Sequence, residues 1–144
     1  MRNSPMKKLA VAAVLTLGAL AASAQAPRTP AAQGTELYII APADNATVTG
    51  PVTVRFGLKG MGVAPAGIQL PDTGHHHLLV DAEVPALDKP IPSDANHVHF
   101  GKGQTETTLT LAPGKHTLQL LLGDHLHVPH QPAVMSQKIT ITVK

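Results

Sequence analysis

The stretch Val52–Leu58, with the sequence VTVRFGL, alternates apolar and polar side chains with a period of two residues. Successive side chains of a β-strand point to opposite faces of the sheet. The apolar Val, Val, Phe and Leu therefore share one face, and Thr53 and Arg55 share the other. This alternation predicts a half-buried strand, with one face against a core and one face toward solvent.

Similar short apolar runs, separated by Pro, Gly, Asn and Asp, recur along the chain, and no stretch shows a sustained helical period. The further runs are Leu37–Ile40, His75–Asp81, Asn96–Phe100, Thr107–Leu111, His116–Leu122 and Lys138–Val143. We therefore predict an all-β fold, an immunoglobulin-like antiparallel β-sandwich of about seven strands. Pro113 and Gly114 have the conformational preferences of a tight turn, so we also predict a hairpin between two of these strands.

The N-terminus has the features of a secretory signal peptide. Lys7 and Lys8 precede an uncharged apolar run from Leu9 to Ala22, and Ala22–Ala24 fits a small-x-small cleavage site. We predict a signal peptide at residues 1–24, a flexible linker at 25–35 and one domain at 36–144. The apolar run is short for a membrane span, so we expect a soluble periplasmic or secreted protein, cleaved after Ala24, with no stable membrane anchor.

The composition excludes several classes of protein. Removing Arg2, Lys7 and Lys8 with the signal peptide leaves 8 of the 11 basic residues against 9 acidic ones, a formal charge of −1. Without a basic patch or aromatic platforms, nucleic acid is not an expected partner. The absence of cysteine excludes disulfides, thiolate metal sites and a cysteine nucleophile. No serine-nucleophile or phosphate-loop motif is present, so we do not expect an enzyme.

The nine histidines all fall between positions 75 and 130, and eight of them form three groups. In a strand, residues two apart point to the same side, so each group can present a pair of imidazoles to one site. Imidazole ligands without cysteine suit copper, zinc or nickel, and copper is the first expectation. The candidate ligands are His75, His77, His97, His99, His125, His127 and His130, and the candidate supporting carboxylates are Asp72, Asp81 and Asp124.

A structural role is the alternative for these histidines. A neutral imidazole both donates and accepts a hydrogen bond, so the clusters can hold loops in place without a ligand. His76 alternates with Leu78 and Val80 and is expected to face the core. His116 stands alone on the apolar face of its strand and is expected to be structural.

Three stretches also carry a resemblance to a known family. The sequences GHHHLLVD at Gly74–Asp81, HVHFGKGQTE at His97–Glu106 and PGKHTLQLLLGD at Pro113–Asp124 resemble the bacterial exported family Domain of Unknown Function 4399. The resemblance extends from Glu36 to Lys144 and implies a small periplasmic domain. The family implies no activity. The histidine groups predict two alternative functions: a histidine-rich domain that binds copper or zinc through one end of the sandwich, or a non-catalytic binding or assembly domain that recognises an envelope component.

Overall fold

The computed structural model describes residues 27–144, so the predicted signal peptide at 1–24 lies outside the described residues. Nine β-strands form this part of the chain. They are β1 (Glu36–Ala41), β2 (Thr47–Val48), β3 (Val52–Lys59), β4 (Gly62–Val63), β5 (Thr73–Val80), β6 (His97–His99), β7 (Glu106–Leu109), β8 (Gly114–Gly123) and β9 (Ile139–Val143). No helix capable of crossing a membrane occurs between residues 27 and 144.

The strands form two sheets that pack against each other, which confirms the predicted β-sandwich. The smaller sheet has the order β1-β3-β7, and the larger has the order β2-β9-β8-β5-β4, with β6 also paired to β5. All pairs are antiparallel except β2 with β9 and β4 with β5. The two strands missing from the prediction, β2 and β4, have two residues each and are too short to show an alternation.

The core lies between the two sheets and follows the predicted alternation. In β3, Val52, Val54 and Phe56 are buried, and Thr53 and Arg55 are exposed. The larger sheet contributes inward side chains from its two central strands, β5 and β8. These are Leu78, Val80, Leu118, Leu120 and Leu122. Burial of aliphatic side chains from both sheets provides the main stabilisation of the fold.

The predicted hairpin at Pro113–Gly114 is wrong. Strand β7 pairs with β3 in the smaller sheet, whereas β8 pairs with β5 and β9 in the larger one. The connection therefore carries the chain from one sheet to the other. Turn residues encode a change of direction but not the partner of the next strand. Leu109 and Leu120 both contact the core, but they do so from opposite sheets.

The segment 25–35 was predicted to be a flexible linker because its composition cannot form a core. Within the described part, the chain near Ala31 pairs with the main chain near Gln131. The amide of Ala31 donates to the carbonyl of Gln131 (3.0 Å), and the amide of Gln131 donates to the carbonyl of Thr29 (2.9 Å). Main-chain pairing of this kind leaves no signal in amino-acid composition.

Candidate metal centre

Strand β5 sends its consecutive histidines to opposite faces of the larger sheet. The ring of His76 points into the core, where its centroid lies 5.0 Å from that of Phe56 in the smaller sheet. His75 and His77 lie on the outer face, opposite Gly123 and Leu121 of β8. Both side chains are almost completely buried. The site was predicted at an end of the sandwich, but the structure places it on the outer face of a sheet, because alternation in β5 decides the direction of these rings.

Strand β6 adds a third imidazole to the same face. His99 pairs directly with His77, and directly opposed residues of an antiparallel pair share a face. Their ring centroids are 5.1 Å apart. A side chain at position 101 would collide with the ring of His99. Gly101 therefore provides the space that this ring occupies.

The turn after β8 supplies the fourth imidazole, that of His127. Asp124 shapes this turn, because its Oδ1 accepts hydrogen bonds from the amides of Leu126 (2.9 Å) and Val128 (3.0 Å). The amide of His127 donates to the carbonyl of Asp124 (2.8 Å). The carbonyl of His127 accepts a hydrogen bond from the amide of Ile91 (2.9 Å). His127 has a φ of 67°, an uncommon value for a residue other than glycine. The surrounding hydrogen bonds hold the residue in this conformation.

The four rings form a compact cluster, which we call the His cluster: His75, His77, His99 and His127. One ligand nitrogen from each residue lies within 4.8 Å of those of the other three. Nε2 of His75 and Nδ1 of His127 are 3.0 Å apart and share a hydrogen bond. Imidazole nitrogens bound tetrahedrally to one ion at about 2.0–2.1 Å lie about 3.4 Å from one another.

The protonation state of the His cluster also suits metal binding. Burial, together with the positive charges that His127 and His99 would carry, lowers the pKa of His75 to about 4. Burial and the neighbouring histidines lower the pKa of His77 to about 3, and burial lowers the pKa of His99. These three rings are therefore neutral near pH 7 and have a free lone pair for a metal. Nδ1 of His75, Nδ1 of His77 and Nε2 of His99 are buried without a hydrogen-bond partner among the described residues.

Three of the seven predicted ligands lie outside the His cluster. His97 projects from β6 and binds Oδ1 of Asp94 through Nδ1 (2.9 Å). His130 is fully buried and contacts the carbonyl of Thr73 through Nε2 (3.1 Å). His125 does not belong to the cluster either, and it lines a small cavity beside Asp124.

The three predicted supporting carboxylates have different positions. Asp124 is buried and supports the turn of His127, as described above. Burial opposes ionisation of Asp124, but hydrogen bonds from Thr29, Val128 and Leu126 together lower its pKa. Asp81 instead binds Nδ1 of His116 (2.6 Å) and the amide of Thr117 (2.8 Å). Asp72 is exposed and has a φ of 53° in the turn before β5.

His116 has partners at both ring nitrogens, which agrees with the structural role predicted for it. Its Nε2 lies 2.7 Å from the carbonyl of Ala112, in addition to the contact with Asp81. The hydrogen bond with Asp81 is the main reason that its pKa is raised.

Sequence reasoning missed two kinds of residue that build the His cluster. Gly123 is one: a Cβ at this position would lie 2.8 Å from Cε1 of His77, so glycine leaves room for that ring. A glycine opposite a strand histidine is a signal only once the pairing of β5 with β8 is known. The second kind comprises Arg28 and Thr29, which lie in a part of the chain predicted to be flexible. Arg28 donates to the carbonyl of Pro129 and Thr29 donates to Asp124, on either side of His127 in sequence.

Fold and site together define an all-β sandwich with four clustered imidazoles on the outer face of one sheet. The chain belongs to the family Domain of unknown function (DUF4399), whose family model matches residues 54–144. The match contains all four residues of the His cluster and confirms the resemblance seen in the sequence.

A comparison with curated proteins finds no match. Among solved structures, the chain is similar to fibronectin(III)-like modules of Clostridium thermocellum CbhA. The identity is 14%, the TM-score is 0.36, and the alignment covers 74% of this chain and 92% of that chain.

Proposed function

We propose that this protein is an exported periplasmic domain that binds one divalent metal ion, copper or zinc, through the His cluster. The observation that carries this proposal is the convergence of four ligand nitrogens within 4.8 Å of one another. Four imidazoles held this closely would repel each other if protonated, and burial keeps three of them neutral. Clustered imidazole nitrogens, three of them on neutral rings, are suited to a cation.

The ligand chemistry favours copper and zinc over other metals. Imidazole is a ligand of intermediate softness, and Cu(II) is bound more tightly than Zn(II) by most nitrogen sites. The His cluster contains no carboxylate oxygen, which disfavours calcium and magnesium. We therefore expect Cu(II) to bind first and Zn(II) to bind in the same place.

Binding, rather than catalysis, is the role that four protein ligands support. Catalytic zinc sites commonly use three protein ligands and keep the fourth position for water or substrate. Here four imidazoles can complete a tetrahedral shell. His75 and His77 are buried, whereas His99 and His127 are partly exposed and provide the access route for an ion.

The test is titration of the tag-free chain beginning at Gln25 with Cu(II) and with Zn(II) at pH 7.5. We expect one ion per chain by calorimetry, and nitrogen hyperfine coupling in the electron paramagnetic resonance spectrum of the copper form. His99→Ala should weaken binding by about 100-fold or more, since even an outer partner of a ligand is worth about 10- to 100-fold.

His97→Ala is the matched control, because His97 lies on the same strand but binds Asp94 instead. It should bind the ion with the parent affinity. Equal losses in both variants, or weak uptake of several ions by the parent, would contradict the proposal.

A second candidate function is a non-catalytic domain that binds an envelope component and uses its histidines as structural residues. The observation in its favour is that His97, His116 and His130 each bind a carboxylate or a main-chain carbonyl. If the parent binds no ion and His99→Ala unfolds, this second function becomes the better explanation.

A further inference from the structure

Residues Arg28–Ala31, which we call the strap, run alongside the segment that follows the His127 turn. Pro30 and Gln131 form a parallel bridge, flanked by the two main-chain hydrogen bonds between Thr29, Ala31 and Gln131. Arg28 adds side-chain hydrogen bonds to the carbonyls of Pro129 (3.0 Å) and His130. The strap is therefore attached to residues 129–131 by both main chain and side chain.

The strap also reaches the turn that carries His127. Oγ1 of Thr29 donates to Oδ2 of Asp124 at 2.6 Å. The other oxygen of Asp124 accepts the amides of Leu126 and Val128, which flank His127 on both sides. A continuous set of hydrogen bonds thus leads from Thr29 through one carboxylate to the main chain on either side of the metal-binding residue.

This connection matters because His127 needs support. Its left-handed backbone conformation is held by surrounding contacts, and it is the one residue of the His cluster that does not lie in a strand. Asp124 is itself buried, so loss of the Thr29 hydroxyl would leave one carboxylate oxygen without this donor in a poorly hydrated place. The turn would then populate other conformations in which the ring of His127 leaves the cluster.

We propose that the strap is a positioning element for the metal site, in which Thr29 fixes Asp124 and thereby holds His127 against His75. The effect on metal affinity rests on the proposed function, whereas the effect on the position of His127 does not. If the metal is bound, linkage requires that it also stabilises the strap, because each event favours the other to the same extent.

The experiment compares Thr29→Val with Thr53→Val in the tag-free chain beginning at Gln25. Thr53 is the matched control, since its hydroxyl contacts Thr108 on the exposed face of the smaller sheet. Without metal, Thr29→Val should accelerate exchange of the Val128 amide hydrogen by about tenfold or more. It should also shift the ring nitrogen resonances of His127. Thr53→Val should leave both readouts unchanged.

With Cu(II), Thr29→Val should weaken affinity by about 10- to 100-fold while the stoichiometry stays at one. In the parent, Cu(II) should slow exchange of the Ala31 and Gln131 amides. Unchanged Val128 exchange and unchanged His127 resonances in Thr29→Val would overturn the proposal whether or not a metal binds. If Val128 exchange and the His127 resonances change but the parent binds no ion, the positioning role stands and the metal function fails.

If Thr29→Val unfolds, Arg28→Ala replaces it. This variant removes only contacts to residues 129–131, and it is measured with the same readouts and the same expectation.

Discussion

His75, His76 and His77 are consecutive residues, yet His76 has an environment unlike that of its neighbours. Both ring nitrogens of His76 are buried without a hydrogen-bond partner among residues 27–144. An imidazole in this position has lost its hydration and gained no hydrogen bond in exchange. Burial also lowers the pKa of His76 to about 4, so the ring is neutral at pH 7. We infer that His76 reduces the stability of the fold.

Replacing His76 by leucine should therefore stabilise the protein. Leucine has a similar volume and no polar atoms, and it would fill the space beside Phe56. His76→Leu is expected to raise the free energy of unfolding by about 1–3 kcal/mol at pH 7, measured by urea denaturation. The control is His116→Leu, which should lower it, because both ring nitrogens of His116 have partners. A less stable His76→Leu variant would show that the His76 ring has a favourable role in the core.

At the scale of the strand, alternation predicted which side chains face the core, but not which strands pair. The face of β3 was correct because burial of aliphatic side chains at alternate positions leaves a direct pattern in sequence. The turn at Pro113–Gly114 was assigned to a hairpin because nothing local distinguishes a turn within a sheet from a crossing between sheets.

The same limit applies to the His cluster. The His-x-His spacing predicted that His75 and His77 share a face, and they do. That His99 joins them while His97 does not depends on the register between β5 and β6, which residues far apart in sequence determine. The position of His127 depends on a turn held by Asp124 and Thr29, and 95 residues separate these two in sequence.

The burial of Leu120 in β8 gives a prediction for the element. Leu120 is fully buried between the sheets, whereas Thr110, in the connection that precedes β8, is exposed. Leu120→Asp should lower the free energy of unfolding by more than about 4 kcal/mol, because it places a carboxylate in the core. Thr110→Asp should change it by less than about 0.5 kcal/mol. Chemical denaturation of both variants measures the difference, and equal losses would mean that Leu120 does not lie in the core between the sheets.

For the whole molecule, the buried histidines make stability depend on pH. The folded-state pKa values of His75 and His76 are about 4 and that of His77 is about 3, whereas the unfolded chain has the ordinary value near 6.5. Between these values the unfolded state binds more protons than the folded state, so stability rises with pH. The pKa of His99 is lowered as well, whereas His116 acts in the opposite direction, because its raised pKa favours the folded state at low pH; it is one group against four.

We therefore expect the metal-free protein to lose more than about 2 kcal/mol of stability as the pH falls from 6.5 to 4, and little between pH 8 and 7. Urea denaturation at a series of pH values measures this profile. His76→Leu removes one of the four histidines with a lowered pKa and should make the profile shallower. A saturating divalent metal should add stability at pH 7.5, because it binds the folded state. Protons compete for the same nitrogens, so this addition should vanish toward pH 4 and make the profile steeper than that of the metal-free protein. A flat metal-free profile would mean that these histidines take up protons in the folded state as readily as in the unfolded chain, which is incompatible with the burial of His75, His76 and His77.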